Sequence, residues 1–107
     1  GTAAAEPRHA SRLSVLAPAV LFWVQALGLQ AGDEITLRLT GPDGTVLAEH
    51  RQVQERTQAQ ATIAVGKRRR VAPWPAGVYA GECTLTRSAP EGGRPLVLKA
   101  SGSTEIR

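Results

Sequence analysis

The chain has 107 residues, which suits one domain with one core. Its 42% hydrophobic content is ordinary for a globular chain, and 11 Gly and seven Pro suit a chain with many turns. A formal charge of +4 permits an anionic partner without requiring one, and a single cysteine excludes an intramolecular disulfide.

Gly1 to Ala10 is polar and Ala-rich, and reads as a disordered tail or linker. Residues 11–107 read as a single β-sandwich domain. The chain has no Met, at position 1 or elsewhere, so it reads as an excised piece of a larger protein. Leu13, Val15 and Ala17 predict a first short strand closed by Pro18. Ala19 to Leu29 is the most apolar run, but it is shorter than the roughly 20 residues a membrane span needs. Val20, Phe22, Trp23 and Val24 favour strand over helix for it, with Leu21 and Trp23 on the buried side.

Gln30 to Asp33 is a turn. Ile35, Leu37 and Leu39 alternate with polar residues and predict a half-buried strand. Gly41-Pro42-Asp43-Gly44 predicts a hairpin into a strand from Thr45 to about Gln52. Gln54 to Gln58 reads as a loop, and Ala59 to Val65 as the next strand. Gly66 to Ala72 reads as an exposed connection carrying the basic run Lys67-Arg68-Arg69-Arg70.

The stretch from Trp74 to Arg87 has the clearest pattern. Pro75-Ala76-Gly77 turns, and Tyr79, Gly81, Cys83 and Leu85 then share one face. A tyrosine at such a corner anchors it when the hydroxyl finds a backbone partner. Ser88 to Gly93 is a loop. Leu96 and Leu98 mark a last strand, continued from Thr104 after a kink at Gly102.

The whole is all-β: an immunoglobulin-like antiparallel β-sandwich of about seven strands. The predicted core is Leu21, Trp23, Ile35, Leu37, Leu39, Leu47, Ile63, Val65, Tyr79, Cys83, Leu85, Leu96 and Leu98.

The chemistry in the sequence is sparse. His9, His50 and Cys83 do not form a zinc spacing, no serine lies in a GxSxG elbow, and the GxxxxGK[ST] phosphate loop is absent. No catalytic residue, metal or cofactor is expected. Cys83 on an inward face reads as a small buried apolar residue. The candidate anion-binding residues are Lys67, Arg68, Arg69 and Arg70, which either contact an anionic ligand or simply form a solvated loop. Trp74 is a candidate surface aromatic, with packing on the Pro75 corner as the alternative. Trp23 is expected in the core, with the rim of a groove for a glycan or peptide as the alternative. One aromatic near the basic run is no stacking platform, so nucleic acid is not expected.

The stretches LGLQAGDEITLRLTGPDGTVLAE and WPAGVYAGECTLTR resemble the C-terminal accessory domain of some bacterial lysostaphin-like murein zinc endopeptidases. The likeness runs from about Ala19 to Arg107. That family's catalytic domain holds zinc with His-x-x-x-Asp and His-x-His motifs. Here Leu13 and Gln54 stand four residues after His9 and His50, so no catalytic residue carries over.

The resemblance implies a non-catalytic accessory module outside the cytoplasm, in the periplasm or cell envelope. It would be appended to a peptidoglycan metallopeptidase. Its partner would be a neighbouring catalytic domain or another envelope protein. The alternative is a binding module that takes an anionic cell-wall glycan through residues 67–70.

Overall fold

The computed structural model describes residues 4–8, 12–70, 72–89 and 92–107, with side chains from Leu13 onward. Eight strands follow in order: β1 (Ala4–Arg8), β2 (Arg12–Leu13), β3 (Ala19–Leu29), β4 (Glu34–Thr40), β5 (Val46–Val53), β6 (Gln58–Arg68), β7 (Gly77–Arg87) and β8 (Leu96–Ile106). They form two sheets. One is the antiparallel pair β3–β6, extended by β1. The other is the antiparallel run β8-β7-β4-β5, extended by a short parallel bridge from β2 to β8. No helix long and apolar enough to cross a membrane is present among the described residues.

Alternation explains the packing. In β4, Ile35, Leu37 and Leu39 are buried, and in β7, Tyr79, Cys83 and Leu85 are buried beside them. Ile63 and Val65 of β6 close the core from the other sheet. The arrangement is thus sandwich-like, with one apolar layer between the sheets. Cys83 sits within this layer, where burial raises its thiol pKa above the ordinary value.

β3 is a strand as predicted, but with the opposite face inward. Val20, Phe22, Val24 and Ala26 are buried, whereas Leu21 is 62% and Trp23 37% exposed. Pairing decides this. Phe22 lies opposite Val65 and Val24 opposite Ile63, so the row facing the core on β6 selects the row on β3. Phe22 also needs the space above Gly81, where an added Cβ would fall on its ring. Leu96 is likewise exposed rather than in the core, and Leu47 and Leu98 are only partly buried at its margin.

Three other expectations change. Part of the predicted tail, Ala4–Arg8, pairs as a strand with β3, while His9 lies outside the described residues. The first short strand stops at Leu13, and Ser14 to Ala17 turns instead, Ala17 N–H donating to Ser14 O at 3.0 Å. β8 runs unbroken through Gly102, which pairs with Gly81. Residues 90 and 91 of the predicted loop before it lie outside the described residues.

Two polar pins tie the sheets at opposite ends. At one end, Asp33 is fully buried beside Arg87, with Nε to Oδ1 at 2.8 Å and Nη2 to Oδ2 at 2.9 Å. Arg87 also donates to Gly28 O of the other sheet at 3.0 Å. Asp33 further accepts the Gln30 N–H, closing the turn that the sequence places at Gln30 to Asp33.

At the other end, Tyr79 Oη donates to Pro75 O at 2.7 Å. The Trp74 ring meets Tyr79 edge-on, and its Nε1 donates to Ala17 O at 2.8 Å. The predicted tyrosine anchor is therefore present. Tyr79→Phe leaves Pro75 O without that donor, and a loss of about 1–3 kcal/mol is expected in urea unfolding.

Candidate functional site

Lys67 and Arg68 are the last residues of β6, not part of a free connection as the sequence suggests. The strand's alternation carries through the basic run. Lys67 and Arg69 are half-buried in the row of Ile63 and Val65, while Arg68 and Arg70 are exposed. The Arg69 N–H donates to Pro18 O at 2.8 Å, which holds the segment in line with β6 beyond its last paired residue. Arg69 Nε is buried with no hydrogen-bond partner.

The hairpin between β4 and β5 forms the facing wall. Gly44 takes a φ of 84°, and its N–H reaches Gly41 O at 3.0 Å. Asp43 Oδ1 accepts the Thr45 N–H at 3.0 Å, and this bond draws its pKa below the ordinary carboxylate value. Pro42 rests on Gly77, which takes a φ of 142°. A Cβ there would come 2.7 Å from that of Pro42, so the hairpin tip and the β7 corner meet only because residue 77 is glycine.

Between these walls lies a groove of about 370 Å³. Lys67 to Arg70 line one side and Gly41, Asp43 and Thr45 the other, Trp74 and Pro75 lie at the end, and Pro42, Leu47 and Pro73 line the remainder. Four cations line it against one carboxylate, that of Asp43, which is already bonded within its turn. The groove thus joins a strongly positive wall to an apolar floor of Pro42, Leu47 and Pro73. That combination suits an anionic ligand with apolar substituents.

Trp74 is not a surface aromatic. It is 8% exposed, and the alternative of corner packing describes it. Trp23, expected in the core, is the exposed tryptophan and shares the outer face of β3 with Leu21 and Leu27. The basic run was legible in the sequence, but its facing wall was not. Gly41 to Leu47 reads only as a hairpin, and nothing short of the fold brings it across from residues 67–70.

The other chemistry-bearing side chains stay apart. His50 and Cys83 lie on either side of Leu37 in one row across three strands, about two strand spacings or roughly 10 Å apart. His50 Nε2 bonds instead to Gln52 Oε1 at 2.8 Å.

A wider cleft of about 550 Å³ opens between β3 and β8, lined by Leu13, Phe22, Gly81 and Thr104 among others, with no charged residue among the described residues that line it.

Fold and groove together define an all-β, two-sheet domain with one basic, partly apolar groove at its end. Neither a protein-family model nor a curated protein matches the chain.

Proposed function

We propose that this chain is an immunoglobulin-like, non-catalytic interaction module of a larger cell-envelope protein, and that it engages an anionic partner through the groove at Lys67 to Arg70. The groove carries this reading: the basic run faces a second wall and an apolar floor instead of standing free in solvent. Strand order supports the immunoglobulin likeness. The sequence β1-β3-β6 against β8-β7-β4-β5 corresponds to strands A-B-E against G-F-C-C′ of that fold. The bond from Tyr79 to Pro75 corresponds to its tyrosine corner. In antibody domains the residue two beyond that tyrosine is a cysteine of the inter-sheet disulfide. Here it is Gly81, and the ring of Phe22 from the facing sheet fills the space.

The envelope setting and a peptidoglycan peptidase as neighbour come from the resemblance to murein endopeptidase accessory domains. A second reading, packing against that neighbour, is favoured by the exposed strip of Leu21, Trp23 and Leu27.

Retention of the chain on purified cell-wall sacculi tests the groove reading. Retention is expected at about 50 mM salt and largely lost at about 500 mM, as the Debye length contracts. Changing all four basic residues to glutamine is expected to abolish it. Retention that ignores both salt and the fourfold change would sink the groove reading. The same preparation, supplied with zinc, is expected to release no more peptide from the sacculi than a denatured control.

A further inference from the structure

We propose that the anionic partner is an extended acidic polypeptide that adds as a strand to the free edge of β6 and places a row of carboxylates beside Lys67 and Arg69. This rests on the groove reading above and goes further in naming the class of ligand and the way it binds.

Three observations carry it. First, β6 ends its sheet: over its 11 residues it pairs with β3 alone among the described residues. The link from β5, residues 54–57, contributes no strand to cover that edge. In the immunoglobulin arrangement of four strands, a further strand lies there. A row of unpaired backbone donors and acceptors is what an extended peptide satisfies.

Second, this edge leads directly into the groove. β5 and β6 are the end strands of facing sheets and approach one another, so the hairpin wall stands on the free side of β6. A chain lying along β6 would run between the basic row and the floor of Pro42 and Leu47. Its alternate side chains would point to the two faces of the sheet, one row toward Lys67, Arg69 and the hairpin, the other beside Arg68.

Third, Arg69 Nε is buried without a partner, held in the groove wall by its own backbone bond to Pro18. A carboxylate supplies the missing acceptor. An acidic polysaccharide would answer the charges but would leave the backbone edge of β6 unpaired.

A blocked decapeptide of alternating glutamate and valine, about 33 Å when extended, is the probe, titrated into the intact chain by calorimetry at low salt. Polygalacturonate is the comparison. The peptide is expected to bind. N-methylating alternate amides in the phase that faces β6 is expected to weaken it at least about tenfold, and the opposite phase to leave it within about twofold. Arg69→Gln is expected to weaken it about tenfold or more. Lys67→Gln, near the end of β6, gives an independent reading if Arg69→Gln fails to fold.

Equal binding of both methylated peptides, or a peptide that fails where polygalacturonate binds through residues 67–70, would overturn strand addition and leave the groove reading standing. Failure of both probes would overturn the two together.

Discussion

Asp33→Ala is expected to destabilise the domain by about 3–5 kcal/mol, because it removes a fully buried carboxylate that bonds the Arg87 guanidinium through both oxygens. That is a large share of the roughly 5–15 kcal/mol that holds a domain of this kind folded. The bond is bidentate, and Asp33 has no solvent exposure, so water cannot replace it. Arg87 also reaches Gly28 O, so the loss loosens both sheets at that end. Urea unfolding at neutral pH measures it. A loss below about 1 kcal/mol, the range of an exposed pair, would show that the contact is not worth what its burial implies.

The same pair gives the acid limb of stability its sign. Hydrogen bonding from Arg87, aided by the Gln30 N–H and the guanidinium charge, outweighs burial and holds the folded pKa of Asp33 below the ordinary carboxylate value. A lowered carboxylate pKa stabilises the fold fully above the unfolded value, near pH 4. The contribution is then lost as pH falls through the folded value. Unfolding free energies measured from about pH 6 down to about pH 2 should therefore drop less steeply in Asp33→Asn than in the wild type.

Gly81→Ala is the second substitution expected to be costly, although it adds one methyl group. The new Cβ would lie within the ring of Phe22, which is 3% exposed and opposite Val65 in the core. Overpacking of this kind costs about 1–3 kcal/mol, occasionally more, and Gly81→Val should exceed Gly81→Ala. The cost belongs to the pair. Combining Gly81→Ala with Phe22→Leu should recover part of it, with a coupling energy above about 0.5 kcal/mol in a double-mutant cycle. Strict additivity would mean that the ring does not depend on the absent side chain.

Much of the architecture was readable in the chain, for physical reasons that differ by segment. β4 and β7 alternate apolar with polar residues, so the solvent side of each is named by its own side chains. The Gly41 to Gly44 hairpin and the Tyr79 corner were readable because their turn residues accept few other conformations. β3 was readable as a strand but not in its facing. Both of its rows are apolar, and the choice between them lay with Ile63, Val65 and Gly81, about 40 to 60 residues further along. The two tryptophans exchanged roles for related reasons: Trp23 follows the outer row of β3, and Trp74 finds Tyr79 and Ala17 O within reach only once the corner is folded.

The candidate site divides in the same way. Alternation along one strand is a local property, and so is a run of four cations; both are written in consecutive residues and survive without tertiary context. The groove is not local. Its cations gain a facing wall because the sheet edges β5 and β6 approach one another, and because Gly77 lets Pro42 settle against the corner. Sequence alone determined the central strands, the hairpin and corner turns, and the positive charge. Only the tertiary structure decided which face of β3 meets water and what stands opposite Lys67 to Arg70, since each of those depends on contacts between residues far apart in the chain.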